Sequence, residues 1–559
     1  MGKETRINRV FSAISAFPIH AILLSVYPIL FVYSRNLMNI PFRDILRFLL
    51  ISVSFITFLL LYFRVVSKDW AKAGLLSSLI AGLFYSFGHV ANAVESWLHH
   101  RDVDFTVSLL AWTWLVVFLS LSFVIIRKQN NVKTTQFLNL LSLLLLSFTL
   151  FAIFTAGDLN NDLNQGEINT LAQLRGETEA ESTVKQIPFL EMPDIYYIIL
   201  DGYLRSDYLE EYFGHDNSPF LSELEQRGFY IVASSRSNYL NTNYSLNSSL
   251  NMMYFHDYPK RIFNKTKYNL YTNYLHDFLQ EYGYKTVVFD SGTGDTNEQE
   301  TDIFISMETT TTDDDYGINK FEQFFLRTTL GLLLYNNRSL ENVPDQPTDL
   351  IRSAVNQELS LRRERIRHAL DHLPDYSDQD GNFFLFSHIY LPHIPFLYGS
   401  DGEEFIYHGN QNLYWYEVPQ ENYEEYYNYQ IEYLNRAILI TVDQILSDSN
   451  KPVVIILQAD HGDEKYLDRD APTKQGIEMR SAILNAVYFS DDVYTDLYPT
   501  MTPVNTFRIV LNHWFGTQYP LLPDKVFFHE DSLSTQINEK PEFIDSCEQY
   551  NICLPPPPY

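Results

Sequence analysis

Hydrophobic positions follow two patterns along this chain, and the change comes near residue 157. Before it lie five nearly unbroken apolar stretches, roughly 11–33, 45–63, 73–91, 105–126 and 137–156. Each approaches the ~20 residues a helix needs to cross the hydrocarbon core of a bilayer. The pattern predicts an all-α transmembrane domain of five helices over residues 1–157, and one cleavable leader cannot account for five such stretches. From residue 192 onward, short runs of Ile, Val, Phe and Tyr alternate with amphipathic stretches, the signature of an α/β domain with a mostly parallel sheet. "PDIYYIILDGYLRSDYL" reads as a strand from Ile195 to Leu200 that ends in Asp201 and Gly202. "SPFLSELEQRGFYIVASS" and "FLQEYGYKTVVFDSGTG" each read as a helix stopped by glycine and followed by a strand. "NFFLFSHIYLPHIPF" is an aromatic strand carrying His388 and His393, and a long helix over "YEEYYNYQIEYLNRAILITVDQILSDS" feeds "VVIILQADHGDEKY".

That last stretch delivers a carboxylate, Asp460, and an imidazole, His461, side by side to a strand end. Ligands of open α/β sheets sit beyond the carboxyl ends of their strands, and Asp201 is delivered to a corresponding end. Two carboxylates and a neutral imidazole suit a divalent cation, with Zn²⁺ or Mn²⁺ favoured by the nitrogen. A hydroxyl-rich stretch, "SNYLNTNYSLNSSLNMMYF" (237–255), predicts a helix capped by Asn241 or Thr242 and running through Leu246, Leu250 and Met253. A threonine hydroxyl there faces backbone N–H groups and the positive end of the helix dipole, where an anion is also welcome. Next to a divalent cation it ionises more readily and attacks phosphorus or sulfur.

Charge separates the two parts further. Residues 1–157 hold 13 Lys/Arg and 6 Asp/Glu, whereas the remainder holds 27 basic and 63 acidic residues. So acidic a surface argues against a nucleic-acid partner. Nine basic residues (Lys3, Arg6, Arg9, Arg64, Lys68, Lys72, Arg127, Lys128, Lys133) flank one side of the helices and four (Arg35, Arg43, Arg47, Arg101) the other. That places the N-terminus inside and everything after residue 157 outside the cytoplasm, with Arg47 snorkelling to the interface. Residues 158–190 read as a polar, acidic linker, 191–535 as the catalytic domain, and 536–559, ending in "CLPPPPY", as a poorly ordered or polyproline tail. Both cysteines, Cys547 and Cys553, lie in that tail, where a bridge is compatible with an oxidising compartment.

The ordered set of strand-"LDGY", a hydroxyl at a helix start, "GYKT", "LPHIPF" and "LQADHG" resembles the sulfatase and alkaline-phosphatase superfamily over roughly 192–500. It is similar above all to membrane members with five N-terminal helices, such as lipoteichoic acid synthases and phosphoethanolamine transferases. The resemblance implies an alkaline-phosphatase-like three-layer fold and a metal site of Asp201, Thr242, Asp460 and His461. It further implies Thr242 as nucleophile and His393, in its H-x-P-F turn, as a substrate contact. His388 is open between touching substrate and a structural hydrogen bond. The activity implied is transfer or hydrolysis of a phospho-group, of phosphoglycerol or phosphoethanolamine type, on a membrane lipid or envelope glycan at the plasma (inner) membrane. The sequence departs from formylglycine sulfatases: where they resemble C/S-x-P-x-R, this chain has Thr242-Asn243-Tyr244-Ser245-Leu246, and threonine cannot become formylglycine. No histidine follows His461 until His513, so one tightly bound metal is expected.

Overall fold

The computed structural model describes residues 17–35, 42–99, 107–128, 131–156, 165–176, 192–259, 273–293, 301–307, 348–405, 422–469, 471–529 and 542–558, with scattered positions at 262–270, 296 and 321–333. Its contacts divide the chain into two units: 1–161 with 309–354, and 162–308 with 355–559.

The first unit is helical: α1 (His20–Arg35), α2 (Phe42–Ser67), α3 (Trp70–His99), α4 (Val107–Arg127) and α5 (Val132–Ala156). Four of these are long and apolar enough to cross a membrane, and α1 is a shorter apolar helix. Their outward faces carry apolar side chains such as Phe58, Trp112 and Phe154, more than half exposed, as lipid-facing helices should. Inside the bundle, small and polar groups let the helices approach. Gly74 sits where a side chain would strike Pro18, and Asn139 receives the His20 N–H while donating to the Phe17 carbonyl. The unit also takes residues from inside the stretch read from sequence as one catalytic domain: Phe321 and Phe325 are buried with Ile29 and Ile45. Arg47 does not simply snorkel to an interface, for its Nε donates to Glu322 at 2.7 Å.

The second unit is built on a seven-stranded sheet. Its strands are β1 (Asp194–Leu200), β2 (Tyr230–Ile231), β3 (Lys285–Phe289), β4 (Ile303–Ile305), β5 (Phe383–Ile389), β6 (Val453–Gln458) and β7 (Asn485–Phe489), in the order β2-β7-β6-β1-β5-β3-β4. The central pairs β1–β5, β1–β6, β3–β4 and β3–β5 are parallel; among these strands β7 alone is reversed, pairing antiparallel with β6 and with β2, which runs the same way as the rest. Every residue of β1 is buried, because it alternates between two cores. Tyr196, Ile198 and Leu200 enter one, with Ile431, Leu434 and Ile438 of a long helix (Tyr423–Asp448); Ile195, Tyr197 and Ile199 enter the other. Layers of helices on both faces explain why these strands read as continuous apolar runs.

Strand register positions the site. Ile199 lies opposite both His388 on β5 and Gln458 on β6, so the next residues bring Asp201 and Asp460 out together at one sheet edge. The tail differs from its expected disorder over its described part. Phe527–Phe528 (β8) pairs with Ile544–Asp545 (β9), a helix spans Ser546–Tyr550, and Cys547 is bridged to Cys553. Composition alone misled there, since the proline run follows a segment already stapled to the domain. Within the predicted linker, a helix spans Gln165–Arg175, and its last guanidinium stacks on Tyr274 at 3.8 Å.

Candidate active site

Asp201 follows β1 directly, and its N–H donates to the Ile389 carbonyl while its own carbonyl accepts from the His393 N–H at 3.1 Å. Gly202 then takes φ +74, a conformation that suits glycine, and its N–H donates to Asp460 Oδ1 at 3.2 Å. The turn thus ties the two carboxylates together through backbone. After Asp460 and His461 comes Gly462, and here a side chain is excluded by space. An added Cβ would lie 2.2 Å from the Met479 carbonyl oxygen and 2.7 Å from that of Ala482. This close pass lets the Gly462 N–H donate to the Arg480 carbonyl at 2.7 Å and brings the Arg480 side chain into the site.

Three groups converge: ligand atoms of Asp201, Asp460 and His461 all lie within 4.8 Å of one another, and all three residues are buried. His461 Nδ1 donates to the Gly462 carbonyl at 3.0 Å, which leaves Nε2 as the lone-pair nitrogen. Around Nε2 stand Asp460 Oδ2 at 3.2 Å, Asp201 Oδ1 at 3.6 Å, Thr242 Oγ1 at 3.2 Å and Arg480 Nη2, which donates to it, at 2.9 Å. Asp201 Oδ1 and Asp460 Oδ2 are buried and accept no hydrogen bond among the described residues. Burial, and next the Asp201 charge, raise Asp460 to about 6. Burial would raise Asp201 too, but the imidazoles of His393, His388 and His461 outweigh it and hold that carboxyl below the usual range. Burial, then the Arg480 charge, push His461 well below its ordinary value, so its imidazole stays neutral. Orphaned carboxylate oxygens beside a neutral imidazole fit a divalent cation, which relieves the repulsion between the two acids.

Thr242 opens its helix (Thr242–Asn251), with Asn241 at the N-cap in extended conformation. Two of the competing hydroxyls are engaged elsewhere, Ser248 Oγ donating to the Met253 carbonyl and Ser249 Oγ meeting the Tyr197 hydroxyl, while Ser237 and Ser245 are buried and no hydrogen bond links either to the Asp/His group. Among the hydroxyls of 237–255, Thr242 is therefore the one brought against the Asp/His group. His388 is buried with Nε2 3.3 Å from Asp201 Oδ2 and Nδ1 2.8 Å from Thr296 Oγ1. β5 ends at Ile389, the chain turns, and the His393 ring comes to 6.1 Å from that of His461.

Arg480 is the residue that sequence reasoning undervalued. Beyond His461, its Nε donates to the Leu240 carbonyl at 3.0 Å and its Nη1 to the Gly462 carbonyl at 3.1 Å, while Glu464 lies 3.6 Å away. Asp463 is buried and accepts from the Tyr423 hydroxyl at 2.7 Å. Lys474 stands half exposed near Glu478, and His513 pairs with Asp491 at 2.7 Å.

The sulfatase family profile matches residues 193–513, more than half of the chain. The chain belongs to the sulfatase family. No curated protein sequence matches it. Solved structures similar to it include the zinc-complexed C-terminal periplasmic domain of EcEptC from Escherichia coli, at 13% identity and TM-score 0.38, covering 63% of this chain and 92% of that one. The soluble domain of lipooligosaccharide phosphoethanolamine transferase A from Neisseria meningitidis is 12% identical with TM-score 0.36, covering 59% and 94%. The integral membrane protein EptA from Neisseria meningitidis is also 12% identical, with TM-score 0.34, covering 89% of this chain and 94% of that one. At such identity and score these likenesses carry no information on what this chain acts upon. Family membership and the Asp201–Asp460–His461 geometry make the case for chemistry.

Proposed function

We propose that this chain is a membrane-anchored, metal-dependent phosphotransferase whose nucleophile is Thr242. The observation that carries the reading is the Thr242 hydroxyl at a helix start, 3.2 Å from the lone-pair nitrogen of His461 and beside two orphaned carboxylates. Asp201, Asp460 and His461, with Thr242, would hold Zn²⁺ or Mn²⁺, one ion tightly bound. The metal, when bound, supplies Lewis-acid charge that lowers the hydroxyl's pKa and offsets charge developing on phosphoryl oxygens. Thr242 Oγ1 bonds to phosphorus of a lipid phosphodiester of phosphoglycerol or phosphoethanolamine type, and the bond from phosphorus to the diacylglycerol oxygen breaks. A phospho-threonine and diacylglycerol result. His393, at the edge of the site, meets the substrate oxygens, takes the Thr242 hydroxyl proton and passes it to the leaving diacylglycerol oxygen. An envelope glycan hydroxyl then accepts the phospho-group. The helical unit anchors the enzyme in the plasma (inner) membrane, with residues 158–559 outside the cytoplasm.

The family match supports a second reading, hydrolysis of phosphate or sulfate esters, with water as acceptor. Threonine in the nucleophile position disfavours the formylglycine route, and the assembled site disfavours an inert receptor. The test is to incubate the purified full chain with vesicles of phosphatidylethanolamine and phosphatidylglycerol. Diacylglycerol release together with a phospho-peptide containing Thr242 is expected. Absence of both overturns the proposal.

A further inference from the structure

A run of hydroxyls leads to Asp201 from the loop after β3. That strand ends beside Asp290, whose N–H donates to the Ile305 carbonyl and whose Oδ1 accepts the Gly292 N–H, both at 2.8 Å. Asp290 Oδ2 accepts from Arg365 Nε at 3.2 Å. Gly292 has φ +72, and a Cβ there would lie 2.8 Å from Arg365 Nη1, so the loop needs its glycine. Pinned in this way, the loop gathers three hydroxyls: Ser291 Oγ and Thr293 Oγ1 each lie 2.8 Å from Thr296 Oγ1. Thr296 is fully buried, and its Oγ1 lies 2.8 Å from His388 Nδ1. The other ring nitrogen of His388, Nε2, lies 3.3 Å from Asp201 Oδ2. Neither the nucleophile nor the substrate contacts proposed above make use of this line.

What each atom can donate or accept fixes the order of protons along it. A second positive charge on His388 would be repelled by a cation beside Asp201, so its imidazole is neutral, with one donor nitrogen and one acceptor. Asp201 Oδ2, on a carboxylate, only accepts, and a ring lone pair facing it in a buried site would be costly. Nε2 is therefore the donor, Nδ1 is the acceptor, and Thr296 gives its one proton to Nδ1. The two lone pairs of Thr296 Oγ1 remain to accept from the loop hydroxyls. We infer that Thr296 is a positioning residue for Asp201: by setting the His388 tautomer it holds Oδ2 and leaves Oδ1 to the metal. Oδ1 is the oxygen that lies 3.6 Å from His461 Nε2 and accepts no hydrogen bond among the described residues. The inference rests on the metal reading above and gives His388 a place behind a ligand rather than against substrate.

The full chain in detergent is stripped with a chelator and titrated with Zn²⁺ and, separately, Mn²⁺ against a fluorescent competitor, with thermal melts on the same preparations. Thr296→Val keeps the shape of the side chain but cannot donate. Affinity for the metal should fall about 10–100-fold, the usual effect of losing a group that orients a ligand. Thr296→Ser, which returns only the hydroxyl, should bind as wild type does. A role in packing alone would not be rescued by the smaller residue. If Thr296→Val fails to melt cooperatively, His388→Gln and His388→Leu decide. The glutamine amide can donate to Asp201, so that variant should bind metal more tightly than the leucine one. Wild type that binds neither ion refutes the metal reading itself. Metal bound by wild type and equally tightly by Thr296→Val, Thr296→Ser as weak as Thr296→Val, or two His388 variants that bind alike, refutes the positioning role alone.

Discussion

Replacing Thr242 by alanine separates chemistry from folding, because the structure assigns that side chain little structural work. Asn241, not Thr242, is the N-cap residue, and Thr242 is only half buried. Alanine removes one hydrogen bond, to His461 at 3.2 Å, and one methyl group. At about 1 kcal/mol for a net hydrogen bond and less for a partly exposed methyl, stability falls by about 1–2 kcal/mol, a shift of a few degrees in Tm. Activity should fall far more. With no hydroxyl there is no covalent route, and nucleophile removal typically costs ~10⁴-fold or more in rate, about 5.6 kcal/mol at 1.4 kcal/mol per tenfold. The assay is diacylglycerol release from phosphatidylethanolamine and phosphatidylglycerol vesicles by the full chain, with thermal melts on the same preparations. Thr242→Ser, which retains the hydroxyl, should keep measurable turnover, and Ser245→Ala most of it. Thr242→Ala within tenfold of wild type, or a phosphate mapping to Ser245 or Ser248, refutes the reasoning.

Three other outcomes are expected. Gly462→Ala drives a Cβ to 2.2 Å from the Met479 carbonyl oxygen, so the backbone must part and Arg480 must withdraw from His461; a lowered Tm and loss of activity should appear together. Burial raises Asp194, far from the site at the start of β1, to about 6 against the pull of Lys451. The native state then holds this proton where the unfolded chain has lost it, so its contribution to stability is present below pH ~4 and is lost as pH rises through 6. Urea unfolding of Asp194→Asn from pH 4 to 7 should lack that fall. Protease added to intact spheroplasts should release an acidic fragment from residues 158–559, and protection of that fragment would reverse the orientation.

Much of the fold was legible because burial on both faces leaves a plain mark in sequence. β1, β5 and β6 read as apolar runs because each lies inside the sheet, and Asp201 and Asp460-His461 stood out as polar groups delivered at their ends. The apolar stretches of the helical unit were equally plain. Arg480 was less so, since its role comes from a pass of residues 479–482 against Gly462, which no local pattern encodes. The return of Phe321 and Phe325 to the helical unit was hidden for another reason. Short apolar runs look alike whether they fill a soluble core or pack on helices, and the ion pair that marks this one joins residues 47 and 322. The tail was misjudged because composition weighed the prolines over the order that the Cys547–Cys553 bridge and the β8–β9 pair impose.

The account turns on a divalent metal held by Asp201, Asp460 and His461, and metal analysis of the full chain tests that most directly. Protein purified without chelator should carry one equivalent of Zn²⁺ or Mn²⁺. Asp460→Ala and His461→Ala should each lose it while still melting cooperatively, at a lowered Tm because both side chains are buried and hydrogen-bonded beyond the end of β6. Wild-type protein with no stoichiometric divalent metal, or variants that retain it in full, would contradict the account.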